Sequence, residues 1–248
     1  MKTKTNKIII IMPAYNAEKT LEKTFRDIPK RLADEIILVD DASNDNTVRI
    51  AKRLGITTFV HKKNLGYGAN QKTCYKMALS SGADIVVMLH PDYQYDARFI
   101  EKLVKPIVNS QFDIMLGTRL KGFGKTLSTG MPLYKYLANI FLTWLNNLML
   151  DTRLTEYHTG FRAYTRDFLK SIDFNNFAND HLFDLEILIE AIKKKASIGE
   201  VYIPGRYLPE SSSMNFIEST NYGIKTLVEL FKFSSKKLLP KDSSYKDK

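Results

Sequence analysis

Short apolar runs alternate with helical patterns through the first half of the chain. Near-continuous runs of Ile, Val and Leu between turn residues are typical of strands buried on both faces of a sheet. Helices between such strands form right-handed crossovers in a parallel sheet. The predicted strands are residues 7–12, 35–39, 57–60, 85–89 and 113–116, and the predicted helices are 18–26, 47–54, 69–79 and 97–108. We therefore predict an α/β fold with a mostly parallel central sheet flanked by helices.

A polar segment follows each of the first four predicted strands, at residues 13–16, 40–45, 61–68 and 90–96. Ligands of open α/β sheets bind beyond the carboxyl ends of the strands, where these segments lie. Any one of them is explained by turn geometry alone, which Asn, Asp, Gly and Pro supply without a function. Four in succession, each placing carboxylate, amide or aromatic groups at one edge of the sheet, indicate a binding site.

Composition is that of a globular protein with one large core. The chain has 248 residues, of which 44% are hydrophobic and 26% charged. Its single cysteine, Cys74, excludes an internal disulfide and a multi-cysteine metal site, which favours a reducing compartment. The apolar run near the N-terminus is too short for a signal peptide or a membrane span. We expect a cytoplasmic protein.

The net charge of +10 calls for an anionic partner. Nucleic acid, a phosphorylated small molecule and an acidic membrane surface all meet that requirement. The lysines are dispersed and gather at the C-terminus, whereas a nucleic-acid binder groups basic residues with stacking aromatic side chains in a groove. We therefore expect no nucleic-acid partner.

The ends of the first four strands read Pro-Ala-Tyr-Asn, Val-Asp-Asp-Ala-Ser, Asn-Leu-Gly-Tyr-Gly and His-Pro-Asp-Tyr-Gln. Their order and spacing over residues 7–120 resemble family 2 glycosyltransferases, especially the dolichyl-phosphate mannosyltransferase-like branch. The resemblance implies a GT-A fold, a UDP- or GDP-sugar donor and inversion at the anomeric carbon. It further implies a lipid-phosphate acceptor such as a polyprenyl phosphate, or a glycan, and a role in cell envelope glycan or glycoprotein biosynthesis.

The resemblance also indicates which residues bind the nucleotide sugar. The set comprises Pro13, Ala14, Tyr15, Asn16, Asp40, Asp41, Asn64, Gly66, His90, Pro91, Asp92, Arg119, Arg162 and Arg206. The three arginines are candidate phosphate contacts, because a guanidinium group pairs with phosphate oxygens in a bidentate way. For Arg162 a second role stays open, which is to anchor the fold through backbone carbonyl groups. For Arg206 the simpler interpretation is a polar loop.

A divalent cation, Mg or Mn, is expected beside the fourth strand. Asp92 stands at a ligand position, Gln94 can add an amide oxygen, and His90 can bind the metal or hydrogen-bond a phosphate. The cation would neutralise charge on the leaving diphosphate. Two departures from the family pattern weaken this site: His90 replaces the first acid of Asp-x-Asp, and Ala17 stands where Glu often follows Tyr-Asn. With one carboxylate fewer, the cation depends more on the donor's phosphate oxygens.

Three acids are candidates for the base that takes the acceptor's proton. Asp184 and Glu186 are separated by about 200° on a helix, so that only one of them can point into the site. Asp184 is preferred to Glu186, with Asp180 third, and a solvated helix charge stays open for each. An acceptor that is already an ionised phosphate has little need of a base.

Two amphipathic segments, residues 132–150 and 216–239, suggest attachment to a membrane. The first is too polar to span a bilayer and can equally be a core helix. The second is rich in lysine, which favours anionic lipid headgroups. We expect peripheral binding at the cytoplasmic face of the membrane, or to a separate membrane partner. The predicted division is a GT-A domain at 1–215, an amphipathic helical tail at 216–240 and a disordered tail at 241–248.

A different class of function stays open beside the inverting glycosyltransferase. Loss of the acid at residue 90 can leave a noncatalytic protein that binds a nucleotide sugar or a lipid and keeps the fold. A nucleotidyltransferase would need a Gly-rich, basic loop after the first strand, and residues 13–16 do not provide one. We rank the enzyme above the noncatalytic protein and above a nucleic-acid binder.

Overall fold

The structure, a computed structural model, describes residues 6–207 and 216–238 of the chain. Within these residues a seven-stranded sheet carries helices on both faces. The strands are β1 (Ile8–Ala14), β2 (Glu35–Asp40), β3 (Thr57–Val60), β4 (Ile85–Met88), β5 (Ile114–Thr118), β6 (Arg162–Thr165) and β7 (Ile198–Tyr202). The helices are α1 (Leu21–Asp27), α2 (Thr47–Arg53), α3 (Tyr67–Ser80), α4 (Ile100–Val108), α5 (Phe123–Leu127), α6 (Leu133–Leu150), α7 (Arg166–Ser171), α8 (Phe183–Lys193) and α9 (Phe216–Leu238).

The sheet has the strand order β3-β2-β1-β4-β6-β5-β7. Neighbouring strands are parallel except for β6, which lies antiparallel between β4 and β5. The mostly parallel sheet flanked by helices is therefore confirmed. The carboxyl ends of β1, β2, β4 and β5 share one edge, which brings together the polar segments that follow them.

Alternation along β1 separates two hydrophobic cores. Successive side chains of a strand point to opposite faces. Ile9 and Ile11 pack into the core that also holds side chains of α3 and α8, whereas Ile10 and Met12 pack into the core that holds α1 and α4. All four side chains are fully buried, as the near-continuous apolar sequence of the strand predicts.

The predicted elements of the first half all exist, with small shifts at their ends. Residues 97–99 form a 3-10 turn ahead of α4 rather than its first turn. The prediction that every strand is buried on both faces is wrong for β3, whose Phe59 and Val60 are exposed because β3 is an edge strand. The short strands β6 and β7 were not predicted.

Helix α9 packs against α6 beside the carboxyl edge of the sheet. It covers most of the predicted tail at 216–240, and the predicted disordered tail at 241–248 lies outside the described residues. The boundary at residue 215 stays a prediction. Among the described residues, none of the helices combines the length and the apolar composition that crossing a bilayer requires.

Close contact at Gly68 gives a testable prediction about stability. The Gly68 amide donates to Asn179 O at 2.8 Å, and an added Cβ would lie 2.5 Å from Ala178 O and 2.8 Å from Phe183 Cβ. We expect Gly68→Ala to lower the free energy of unfolding by about 1–3 kcal/mol, because backbone atoms cannot move aside cheaply. Urea denaturation measures it.

Gly223→Ala is the matched control, because Gly223 is also helical and an added Cβ meets no atom within 4 Å. This substitution should be neutral or stabilise by about 0.5–1 kcal/mol, since alanine is the better helix former. Equal destabilisation by the two substitutions would contradict the packing argument.

Candidate functional site

A cleft of about 620 Å³ opens at the carboxyl edge of the sheet. Its walls come from the segments after β1, β2, β4 and β5, from the start of α3, and from α6 and α9. Eleven predicted site residues, all within the described part of the chain, line it. They are Pro13, Ala14, Tyr15, Asn16, Asp41, Asn64, His90, Pro91, Asp92, Gln94 and Arg119. The structure thus brings most of the predicted binding residues together, while their roles stay predictions.

Asp41 organises one end of the cleft. Its carboxylate accepts hydrogen bonds from the amides of Leu65 and Gly66, both at 2.9 Å, and contacts His61 Nδ1 at 2.7 Å. These bonds tie the end of β2 to the loop before α3. Tyr15 stands on the same wall with half of its surface exposed, so that its ring is available for stacking.

Two predicted residues next to Asp41 do not line the cleft. Asp40 is fully buried and accepts hydrogen bonds from Ser43 N at 2.8 Å and Ser43 Oγ at 2.5 Å, which closes the turn after β2. Gly66 has a φ of +97°, and an added Cβ would lie 2.7 Å from Asn179 O. Asp40 and Gly66 are therefore committed to local structure, with Gly66 on the backbone turn into α3, and their contact with the donor stays a prediction.

Arg119 lines the cleft but is held by protein partners. Its Nε donates to Glu156 Oε1 at 2.9 Å, its Nη1 to Gln94 Oε1 at 3.1 Å and its Nη2 to His158 O at 3.0 Å. Glu156 is fully buried and also accepts from the Arg119 amide at 2.6 Å. Sequence reasoning did not single out Glu156, although this acid opens the segment 156–164, which resembles the same glycosyltransferase family.

The predicted metal ligands are only partly available. Asp92 Oδ1 accepts from Gln94 N at 3.0 Å, and burial raises the pKa of Asp92 to about 6. The Gln94 side-chain oxygen accepts one hydrogen bond, from Arg119 at 3.1 Å, and keeps a second lone pair, so that its role as a metal ligand stays a prediction. Within the described ranges, no group of three or more His, Cys, Asp or Glu side chains is arranged to hold a metal ion. A cation at Asp92 would need further oxygens from the substrate.

Tyr67 connects His90 to the predicted base. Its hydroxyl lies 3.1 Å from His90 Nε2 and donates to Asp184 Oδ2 at 2.7 Å. The Tyr67 ring stacks between those of His90 and His181, with centroid distances of 5.3 and 4.2 Å. Burial lowers the pKa of His90 to about 4, so that the imidazole is neutral at physiological pH. Tyr67 stands in the predicted polar segment but was not singled out.

None of the three predicted catalytic acids, all of them described, lines the cleft. Asp184 is 8% exposed and lies behind Tyr67. Glu186 points elsewhere and accepts from Ala178 N at 2.6 Å, which agrees with the predicted angular separation of the two acids. Asp180 pairs with Lys225 of α9. The structure thus places all three acids outside the lining of the cleft, and their role as a base stays a prediction.

Arg162 has the anchoring role that its sequence left open. The side chain is fully buried, and its guanidinium donates to Thr159 O at 2.7 Å, Asp184 O at 2.8 Å and Tyr157 O at 2.9 Å. Burial alone would lower the pKa of Arg162, but the Asp184 carboxylate outweighs it and the pKa lies above its usual value. Arg162 is not among the residues that line the cleft, and its predicted contact with the donor stays a prediction.

Arg206 is also occupied away from the cleft. It pairs with Asp96 at 2.7 Å and with Asp27 at 3.1 Å, and its guanidinium lies 4.3 Å from the centroid of the Tyr93 ring. These contacts tie the segment after β7 to the segment after β4. Arg206 does not line the cleft, and its contact with the diphosphate stays a prediction.

The second half of the chain adds walls that sequence reasoning missed. Helix α9 contributes Glu218, Ser219 and Tyr222, and the Tyr222 hydroxyl lies 2.8 Å from His158 Nδ1. Helix α6 contributes Tyr134, Lys135, Ala138, Asn139 and Leu142. These α6 residues are three or four positions apart, so the sequence shows that they share one face of the helix. It does not show that this face lies against the cleft.

Comparisons with known proteins agree with this architecture. A family model described as glycosyl transferase family 2 matches residues 9–173. A UDP-N-acetylglucosamine–dolichyl-phosphate N-acetylglucosaminyltransferase of Methanococcus voltae is 32% identical over 81% of this chain and 86% of its own length. A dolichyl-phosphate hexose transferase of Haloferax volcanii is 26% identical over 80% of this chain and 82% of its own.

Solved structures show the same fold. Glucosyl-3-phosphoglycerate synthase of Mycobacterium tuberculosis, crystallised with Mn²⁺, UDP and phosphoglyceric acid, superposes with a TM-score of 0.71 at 18% identity. The match covers 96% of this chain and 80% of that one. The GT-A fold that the sequence motifs implied is confirmed. The cleft at the carboxyl edge of the sheet, the family match and the relatives together establish that this chain belongs to glycosyl transferase family 2.

Proposed function

We propose that the chain transfers a sugar, with inversion, from a UDP- or GDP-sugar to a polyprenyl phosphate at the cytoplasmic surface of a membrane. The observation that carries this proposal is the cleft, which has Tyr15 and Asp41 at one end and Asp92 and Arg119 at the other. The relatives from Methanococcus voltae and Haloferax volcanii bear names that include dolichyl phosphate, which supports the acceptor class.

The donor would lie along the carboxyl edge of the sheet. The exposed ring of Tyr15 can stack on the base, and Asn16 and Asn64 offer amide groups to the nucleoside. Arg119 would face the diphosphate, fixed in direction by Glu156. Helix α9 would cover the opposite wall through Tyr222.

Asp92 would hold a divalent cation together with oxygens of the diphosphate. Such a cation, when bound, neutralises the negative charge that develops on the leaving diphosphate. Asp92 suits this role because it lines the cleft. Its Oδ1 accepts a hydrogen bond from the backbone amide of Gln94, which orients the carboxylate. The Mn²⁺ in the synthase of Mycobacterium tuberculosis supports a cation in this fold.

The positions of the predicted bases favour a phosphate acceptor. Asp180, Asp184 and Glu186 stand outside the cleft, each with its own protein partners. An ionised phosphate oxygen can attack the anomeric carbon without losing a proton first, while the bond from that carbon to the diphosphate breaks. The products would be a glycosyl phosphate of inverted configuration and the nucleoside diphosphate.

The apolar faces of α6 and α9 support attachment to a bilayer. On α6 the exposed side chains include Leu137, Phe141, Trp144 and Leu148, while Thr143, Asn146 and Leu150 on the opposite face are buried. On α9 the exposed stripe is Ile224, Val228 and Phe231. Contiguous exposed apolar area of this kind is unusual on a monomer and marks an interaction surface. The net charge of +10 favours anionic headgroups over a neutral surface.

A thermal-shift panel of UDP- and GDP-sugars with Mn²⁺, Mg²⁺ or chelator tests the proposal. At about 100 times its dissociation constant, a ligand that binds only the folded state stabilises it by about 2.7 kcal/mol. We expect a metal-dependent rise in melting temperature with one nucleotide. Binding without release of nucleoside diphosphate, when polyprenyl phosphate vesicles are added, would favour the noncatalytic alternative.

We predict that Asp92→Asn weakens metal-dependent donor binding by at least about tenfold, because the carboxylate charge that attracts the cation is lost. Calorimetric titration of the nucleotide with and without Mn²⁺ measures the effect. Asp167→Asn is the control, since Asp167 is an exposed acid of α7 outside the cleft. An Asp92→Asn protein with unchanged metal dependence would remove Asp92 from the proposed site.

We also predict that anionic vesicles shift the fluorescence of Trp144 to shorter wavelength. Trp144 is the chain's only tryptophan and is 57% exposed on the apolar face of α6. Leu148→Ser and Phe231→Ser should each weaken vesicle binding by about tenfold, because burying such a side chain contributes about 1.5–3 kcal/mol.

Val108→Ser provides the control for vesicle binding, since Val108 is an exposed apolar residue at the end of α4. It should leave the affinity for vesicles unchanged. If all three serine variants bind vesicles as well as the original chain, the faces of α6 and α9 are not the membrane contact.

A further inference from the structure

A groove of about 430 Å³ lies at the edge of the sheet that β7 forms. Its walls come from residues 152–154, which follow α6, from the end of α8 and from β7. None of these described residues lines the cleft. The groove is therefore separate from the proposed donor site.

Three exposed cations gather at this groove. Arg153 and Lys195 line it, and Lys194 stands next to Lys195 in the chain. Within residues 6–207 and 216–238, the side chains of these three make no hydrogen bond, ion pair or ring contact, whereas the neighbouring Lys193 pairs with Glu190 at 2.6 Å. The positive charge of this basic cluster, Arg153, Lys194 and Lys195, is therefore available to an anion.

Two acids stand near the basic cluster. Glu200 lines the groove, but its carboxylate accepts hydrogen bonds from Thr155 N at 2.9 Å, Thr155 Oγ1 at 2.8 Å and Glu156 N at 3.2 Å. Asp151 is exposed two positions before Arg153. Glu200 is thus satisfied by the protein, while Asp151 opposes an anion and offers a test.

Stabilisation of α8 explains only part of the basic cluster. Cations in and after the last turn of a helix interact favourably with its dipole, which accounts for Lys194 and Lys195. Arg153 belongs to the segment after α6 and lines the same groove from a different element. Unpaired cations that converge from two elements favour a site for an anionic ligand.

The basic cluster lies at the far end of the two helices that wall the cleft. The first halves of α6 and α9 line the cleft. Both helices end near the end of α8, because residues 152–154 share the groove with it and Lys193 Nζ lies 5.7 Å from the centroid of the Phe233 ring of α9. A rise of about 1.5 Å per residue puts Tyr134, which lines the cleft, about 20 Å from Leu148.

The most exposed apolar side chains of both helices flank this cluster. Leu148 is 66% exposed and Phe231 is 67% exposed, the largest fractions among the large apolar side chains that the structure describes. Leu148 comes five positions before Arg153, and Phe231 comes two positions before the ring that contacts Lys193. Apolar side chains that enter the bilayer beside cations that meet its headgroups are the combination by which amphipathic helices bind anionic membranes.

We propose that the basic cluster binds the phosphate groups of anionic lipids and thereby docks the C-terminal ends of α6 and α9 on the bilayer. The proposal rests on the membrane attachment within the proposed function and adds a headgroup site to it. The apolar stripes of the two helices then lie along the membrane between the cluster and the cleft. This orientation keeps the cleft beside the surface at which a polyprenyl phosphate is held.

Sedimentation of the full chain with vesicles tests the headgroup site. The vesicles contain phosphatidylcholine alone or phosphatidylcholine mixed with phosphatidylglycerol. We expect the chain to bind the anionic vesicles at least about tenfold more tightly than the neutral ones, because each cation near the surface contributes to the attraction. The triple variant Arg153→Gln, Lys194→Gln, Lys195→Gln should lose that preference and keep its affinity for neutral vesicles. A triple variant that keeps the preference would overturn the proposal.

A second triple variant controls for the loss of net charge. Lys23→Gln, Arg49→Gln, Lys52→Gln removes the same three charges from exposed positions of α1 and α2. These helices pack into the core on the face of the sheet opposite to α8. The control should keep most of the preference for anionic vesicles. Equal losses in the two triple variants would show that net charge alone decides binding, and no headgroup site would remain.

Asp151→Asn tests the site in the opposite direction. Asp151 has a φ of +54°, a conformation that asparagine also adopts, so the substitution should preserve the backbone. Removing the acid beside Arg153 should raise the affinity for anionic vesicles about threefold to fivefold. An unchanged affinity would mean that lipid phosphates do not lie at this groove.

The outcomes separate this proposal from the proposed function. A chain that binds no vesicle would overturn both the headgroup site and the membrane attachment, whereas equal binding to the two kinds of vesicle would overturn the headgroup site alone. The triple variant of the basic cluster should keep the thermal shift with nucleotide, since the groove lies outside the cleft. Free glycerol phosphate, compared with sodium chloride at equal ionic strength, should not displace the chain from anionic vesicles. Displacement would assign the groove to a soluble phosphate and overturn the assignment to lipids.

Discussion

The buried guanidinium of Arg162 is the interaction on which the site depends. Burying a charged group away from water is costly unless the group is paired with an opposite charge and its N–H groups donate hydrogen bonds to protein acceptors. Arg162 meets that condition with carbonyl groups from residues 157, 159 and 184 and with the Asp184 carboxylate at 3.8 Å. Because these partners come from the segment before β6 and from the start of α8, one side chain fixes both segments against the sheet. Removing it would leave Asp184 buried without its cationic neighbour, and Asp184 in turn holds Tyr67 beside His90.

A second buried pair acts in the same way on the other side of that segment. Glu156 holds Arg119 through its side chain and through its backbone amide, and Arg119 donates to the carbonyl of residue 158. Residues 156–162 are therefore fastened at both ends by a charged group and its partner. This explains why a stretch that begins with a glutamate and ends with an arginine is buried against the strands rather than exposed as a loop. Its rigidity matters for the cleft, since Gly160 packs on the His90 ring.

The strands and helices of the first half could be predicted because the spacing of apolar residues differs between the two kinds of element. In a parallel sheet the polar segments that follow the strands then lie at one edge. That reasoning found Asp41, Asn64, His90 and Asp92 at the cleft. It failed for β6, whose Arg-Ala-Tyr-Thr sequence has no apolar run and pairs with strands distant in the chain. It left two roles open for Arg162 and did not identify the ion pairs of Arg206, because a sequence shows a guanidinium but not the carbonyl groups or carboxylates that reach it. Glu156 and Tyr222 were missed for the same reason, since only long-range packing brings Glu156 to Arg119 and Tyr222 to the cleft.

Under the proposed function, the balance of charge at the cleft would link the binding of a cation to the binding of the donor. The positive charge of Arg119 is already neutralised by Glu156. Arg119 would therefore orient a diphosphate through its N–H groups and would add little net positive charge to the cleft. Asp41 and Asp92 add negative charge to the same walls, which would oppose a diphosphate on its own. A divalent cation, as proposed, would reverse that effect, but the few ligands that the cleft offers would hold it weakly until phosphate oxygens complete the coordination. The cation and the donor would then stabilise one another's binding, and each should raise the affinity of the cleft for the other by the same factor.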